Sequence, residues 1–155
     1  MALLPEPSGG SFDGSLHRFA LRVYYEDTDL SGAVYHANYL RWFERARSDM
    51  LRLLGIDQRT AFESGEGSYA VADLSIRYLA PARLDDAVLI ESRAEEVRAA
   101  SCRLRQRALR AGTPPNTLLA EALVRVGFIG RDGRPRRQPE PWRRAFASLV
   151  SGPEG

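Results

Sequence analysis

The sequence predicts an α+β domain in which an antiparallel sheet packs on one long central helix. One amphipathic segment of helical period opens near Asn38, a segment of period two precedes it, and four more of period two follow in succession. Strand, helix, then consecutive strands is not the alternating order that builds a parallel sheet.

Residues 1–16 are rich in Pro, Gly and Ser and are expected to form a loose arm ahead of a domain spanning residues 17–130. From Arg18 the pattern alternates, with Phe19, Leu21, Val23 and Tyr25 on one face, until Glu26, Asp27 and Asp29 end the strand. Asp29-Leu30-Ser31-Gly32 is turn chemistry, and Gly32 lets the backbone bend or come close to a ligand. Asn38 is the expected N-cap of the helix, whose stripe is Tyr39, Phe43, Ala46, Met50 and Leu53. Arg45 and Asp49 are placed to pair across one turn, and Gly55 lies just past the end.

A short helix is expected over residues 58–64. In the next strand Ala70, Ala72, Leu74, Ile76 and Tyr78 share a face, and Pro81 closes it. Val88, Ile90 and Ala94 mark the third strand; Cys102, Leu104 and Ala108 the fourth; Leu118, Ala120, Ala122, Val124, Val126 and Phe128 the fifth. The stretch G-T-P-P-N separates the last two, and a basic, Pro-rich turn leads to a terminal helix around residues 141–150, in a C-terminal segment spanning 131–155.

The chain has 155 residues, 44% hydrophobic and 27% charged, which suits one globular domain. No apolar run approaches the roughly 18 residues of a membrane helix, and the start lacks signal-peptide features, so a cytoplasmic protein without an integral membrane segment is expected. Cys102 is the only cysteine, which excludes an intrachain disulfide, and no metal-binding spacing occurs. All 22 basic residues are arginine, so a P-loop, a Schiff base and PLP attachment are excluded for want of lysine. Residues 1–97 hold 10 Arg and 16 acids, whereas residues 98–155 hold 12 Arg and 4 acids. Such a split implies either complementary surfaces or an anionic ligand near the basic part.

Three chemistries compete for Asp27-Thr28-Asp29-Leu30-Ser31-Gly32. A calcium loop would need a bidentate acid where Asn38 stands, and a helix where a strand precedes. An aspartyl phosphotransferase would need a lysine. In acyl transfer, N–H groups from Tyr35 to Asn38 at the helix opening would polarise a thioester carbonyl, and a nearby carboxylate would attack it or activate water.

The run Y-Y-E-D-T-D-x-x-G-x-V-Y-H-A-N-Y-L, then F-E-R-A-R, and later I-R-Y-L-A-P-A-R-L-D-D, closely resembles the hot-dog-fold acyl-CoA thioesterases of the 4-hydroxybenzoyl-CoA thioesterase family. The nearest branch in pattern is that associated with the Tol-Pal system. The resemblance implies a curved antiparallel sheet wrapped around the helix, and homodimers or homotetramers with active sites at subunit interfaces. It implies Asp29 as the catalytic carboxylate, the His36 N–H as the carbonyl donor, and the His36 side chain as an aid to Asp29 or to the departing thiolate. Gly32, Tyr35 and Asn38 would shape the pocket. No cofactor is implied, coenzyme A being part of the substrate. Relatives commonly carry a basic residue where this chain has Ala72-Asp73, so Arg77, Arg83 and the basic back half become the candidates for binding coenzyme A. Two alternatives stand beside hydrolysis: a hydratase or dehydratase using Asp29 with His36, and a noncatalytic module binding acyl-CoA or acyl carrier protein. Nucleic acid is disfavoured as a partner, because the arginines are interleaved along strands without a dedicated basic arm.

Overall fold

The structure, a computed structural model, describes residues 3–112 and 116–150. Most of the G-T-P-P-N stretch, and the chain past Val150, lie outside the described residues. Six antiparallel strands form one curved sheet in the order β1-β2-β4-β5-β6-β3. In chain order these are β1 (Ser11–Asp13), β2 (Leu16–Arg22), β3 (Ser68–Tyr78), β4 (Ala87–Val97), β5 (Ser101–Arg110) and β6 (Thr117–Ile129). The helices are α1 (Asn38–Leu53), α2 (Gln58–Ser64) and α3 (Glu140–Val150). After β2 the chain crosses the sheet through α1 and α2, lays β3 against β6 at the far edge, and returns to place β4 beside β2.

The core lies between α1 and the inward sheet face. Phe43, Ala46 and Met50 of α1 meet Ile90, Leu104 and Val124, all of them almost wholly buried. Leu53 departs from the expected stripe and is exposed, while Trp42 and Leu51 are buried instead. At about 3.6 residues per turn the expected stripe is the narrower arc; the buried face is wider, taking in Trp42 on one side and Leu51 on the other, while Leu53 is the last residue of α1.

The sheet begins inside the expected arm. Ser11–Asp13 pairs with Leu16–Arg18, and the Gly10 N–H donates to Asp49 Oδ2 at 3.0 Å. A side chain at Gly10 would overlap the Arg18 carbonyl and Asp49, so only glycine fits. His17 Nε2 meets the same Asp49 oxygen at 2.7 Å. Asp49 therefore serves the N-terminal hairpin, and no Arg45–Asp49 pair forms; a buried His17 and an unpaired amide need the carboxylate more than an exposed arginine does.

The phase of β3 also differs from expectation. A bulge at Ala72 separates Val71, opposite Val126, from Asp73, opposite Arg125. Tyr69 and Val71 before it, and Leu74, Ile76 and Tyr78 after it, lie opposite the inward residues of β6, whereas Ala70 and Ala72 do not. One inserted residue moves a period-two pattern to the other face.

The terminal helix belongs to the same core. Phe146 is almost fully buried and packs edge-on to Tyr69, while Trp142 packs on Phe128 at 5.7 Å. Gln138, also buried, accepts from Tyr69 Oη at 2.7 Å and from Cys102 Sγ at 3.4 Å. Burial pushes the Cys102 thiol up to about 12. On the outer face the charge split resolves into cross-strand pairs: Arg105 with Glu95 at 2.7 Å, and Arg107 with Glu91 at 3.6 Å. The acids of β4 face the arginines of β5, so that part of the basic half is a complementary surface. No helix among the described residues is long and apolar enough to cross a membrane.

Candidate active site

The end of β2 passes into a short 3-10 turn, Tyr25–Asp27, in which Asp27 Oδ2 accepts from the Tyr24 N–H at 2.9 Å. Tyr25 turns outward here, leaving the strand face expected for it. A tight loop follows, closed by the Asp29 N–H on the Ala33 carbonyl at 2.9 Å and the Gly32 N–H on the Asp29 carbonyl at 3.0 Å. Gly32 has φ +85°, a left-handed conformation that a side chain would strain. Bridges from Thr28 to Val34 and from Ala33 to Arg83 tie the loop to itself and to the segment after β3.

The Asp27 carbonyl then fastens the acid turn to the helix. It accepts from the Tyr35 N–H at 2.9 Å and from Asn38 Nδ2 at 2.8 Å. Asn38 is thus the first residue of α1, buried and bonded backwards, while Ala37 holds the cap position without a side-chain bond. The N–H groups of His36 and Ala37 find no partner among the described residues. They are donors of the kind that a helix leaves open at its start, free to meet a hydrogen-bond acceptor.

Asp29 spends one oxygen and keeps the other. Its Oδ1 accepts from the Ser31 N–H at 2.8 Å and the Ser31 Oγ–H at 2.5 Å, and Oδ2 has no partner among the described residues. Those two bonds, with a smaller contribution from nearby His36, hold its carboxyl below the usual aspartate range. The D-x-D-x-S-G carboxylates therefore turn onto separate backbone amides, Asp27 onto Tyr24 and Asp29 onto Ser31. No cluster able to hold a metal occurs among the described residues.

The His36 ring makes no hydrogen bond to Asp29. It lies between Tyr35, with centroids 4.6 Å apart, and the edge of Tyr78 at 5.9 Å. Tyr78 Oη donates to the His36 carbonyl at 3.0 Å, and burial raises the phenol, which keeps it a donor. Neither Tyr78 nor Ser31 was singled out by sequence; the D-x-S spacing, which closes a side-chain turn, was the signal for Ser31. Arg83 reaches the loop through its bridge with Ala33. Arg77 does not: it stands on the outer face opposite Glu121, 3.7 Å away. Asp73, where relatives were expected to carry a base, is paired with Arg125 at 2.7 Å.

The pattern of the Thioesterase-like superfamily matches residues 23–149, which include the acid turn, α1 and all but the first two strands. The chain belongs to that superfamily. Among its thioesterase relatives is the acyl-CoA thioesterase YbgC of Haemophilus influenzae, 44% identical over 112 residues, or 72% of this chain and 79% of the relative. A probable thioesterase from Bartonella henselae superposes with TM-score 0.73 at 35% identity, covering 80% of this chain and 99% of that one. A 4-hydroxybenzoyl-CoA thioesterase in complex with 4-hydroxybenzoyl-CoA shares the fold, with TM-score 0.77 at 24% identity over 85% of this chain and 99% of the other. The architecture is accordingly the hot-dog fold expected from the sequence motifs.

Proposed function

We propose that this thioesterase-superfamily protein hydrolyses acyl-CoA thioesters to a carboxylic acid and free coenzyme A. The observation that supports it most is the pairing of an ionised Asp29, one oxygen free, with the open N–H groups of His36 and Ala37. The thioester oxygen accepts from the His36 N–H as the carbonyl carbon becomes tetrahedral. Asp29 Oδ2 either attacks that carbon or takes a proton from the attacking water. The C–S bond then breaks, the thiolate leaves and takes up a proton, and the elements of water end in the acid and the thiol. Gly32, Tyr35, Asn38 and Arg83 shape the approach. The His36 imidazole, lacking a bond to Asp29, is better suited to the leaving thiolate than to an acid–base pair for hydration. Neither a metal nor a redox cofactor is required.

The apolar collar around the loop supports a partner. Tyr25 is 82% exposed, Tyr35 48% and Tyr78 44%, and β3 is an open sheet edge. A second copy lying along β3 would cover the collar and close the site, in a dimer or a tetramer. Acyl carrier protein is the alternative carrier of the acyl group. A cytoplasmic location suits substrates of either kind.

The deciding experiment is thiol release from a panel of short, long and aromatic acyl-CoAs, with EDTA present. The natural chain should turn over some of them, and Asp29→Asn should lose at least about 100-fold in kcat while keeping its melting temperature. An Asp29→Asn protein of full activity would overturn the mechanism. A single turnover in heavy-oxygen water bears on the two roles: label found in Asp29 requires it to be the nucleophile, with water opening the mixed anhydride at the Asp29 carbonyl.

A further inference from the structure

A cleft of ≈ 430 Å³ lies on the other side of the helix opening, between α1, β2 and the N-terminal segment. Its floor includes Phe19 and Trp42, both nearly buried, and its wall carries Arg22, Arg41 and Arg45. Asn38, Arg41 and Arg45 recur at three and four residues, so they descend one face of α1 from the opening. Arg41 stands about 4.5 Å and Arg45 about 10 Å down the axis from Asn38 at the rise of an α-helix.

These arginines differ from those of the outer sheet face. Arg77, Arg105 and Arg107 each have a carboxylate within 4.0 Å, whereas Arg41 and Arg45 have neither an ion pair nor a hydrogen bond among the described residues. Arg22 also lines the cleft, but its guanidinium donates to the Asp85 carbonyl at 2.9 Å, outside the cleft lining. Glu26 and Asp27 also line the cleft, at the end nearest the acid turn, and Asp27 is already engaged by the Tyr24 N–H. The charge is therefore graded, acidic beside the helix opening and cationic farther down α1.

We propose that this cleft binds the nucleotide end of the substrate, with the phosphates of a 3′-phosphoadenosine diphosphate on Arg41 and Arg45. Guanidinium groups with unspent donors bind phosphate oxygens by charge-assisted pairs. The apolar floor takes the uncharged parts of the nucleotide, and the thioester end of the same molecule lies at the acid turn. The assignment rests on the acyl-CoA reading and replaces Arg77, whose guanidinium is engaged on the opposite face.

Calorimetric titration of the full chain with coenzyme A, ADP and inorganic phosphate, beside steady-state kinetics on acyl-CoA and on the same acyl pantetheine thioester, tests it. Coenzyme A should bind to the natural chain, and the Arg41→Ala/Arg45→Ala protein should bind it about tenfold or more weakly. KM for acyl-CoA should rise by a similar factor with kcat held within about twofold, and the preference for acyl-CoA over acyl pantetheine should collapse accordingly. Arg41→Lys/Arg45→Lys should recover part of the affinity. Equal coenzyme A affinity in the natural and Ala proteins, both folded by circular dichroism, overturns the site. Inorganic phosphate binding as tightly as coenzyme A overturns its assignment to a nucleotide. A chain that binds coenzyme A through these arginines yet hydrolyses nothing retains the cleft and loses the catalytic reading instead.

Discussion

Asp29 lies in an exposed loop, yet its carboxyl is held below the ordinary range by the hydroxyl and the N–H of Ser31. In the proposed mechanism the carboxylate is the active form, so activity should persist on the acid side until pH falls through this lowered value. Ser31→Ala removes one of the two bonds, and the acid limb of kcat/KM should move to higher pH; an unmoved limb would show that Asp29 does not govern it. Tyr78→Phe removes the donor to the His36 carbonyl and should lower kcat by less than Asp29→Asn does. At this scale the sequence was informative where chemistry is local. A D-x-D-x-S-G run before a helix marks a carboxylate, a turn and open amides. Tyr78 was harder to see, because its partner His36 is 42 residues away and the bridge of Ala33 with Arg83, just past β3, brings the two segments together.

Elements tell a different story. Period and punctuation placed α1, α2 and the five long strands, since amphipathic spacing and Gly or Pro boundaries are written in adjacent residues. Pairing choices were not so legible. Asp49 had two possible cations, and the choice of His17 over Arg45 depends on a hairpin folding over α1. Asp49→Ala should cost about 1–3 kcal/mol in urea unfolding, through the His17 nitrogen and the Gly10 amide left without an acceptor. Arg45→Ala should stay within about 0.5 kcal/mol of the natural chain, as an exposed, unpaired residue does. The β3 bulge was invisible for a related reason: nothing in Ala70-Val71-Ala72-Asp73 says which residue is skipped, and the register is set by β6. The Pro-rich turn ahead of α3 set residues 131–155 apart from the domain in the sequence, yet Phe146 packs in the core. Phe146→Ala should therefore cost about 3–5 kcal/mol, measured by the same unfolding curve.

For the whole molecule, the uneven charge of the two halves was noticed in the sequence, but its meaning required the strand order. Once β4 and β5 are neighbours, much of the excess is spent in cross-strand pairs. The exposed edge and collar carry a prediction at this scale. Val71, 46% exposed on β3, changed to Arg should leave the secondary structure intact and shift the particle mass in light scattering toward that of one chain, with activity falling alongside. A natural chain that already scatters as a monomer and is fully active would refute a shared site. Cys102 has a practical consequence of its own. The proposed reaction yields a sulfhydryl, and the usual colorimetric reagent counts every accessible one. With its single thiol buried and held protonated, the folded enzyme should contribute no background colour, and one equivalent per chain should appear only on unfolding. The same reagent that follows turnover then reports, in a blank without substrate, the fraction of enzyme that has denatured during the assay.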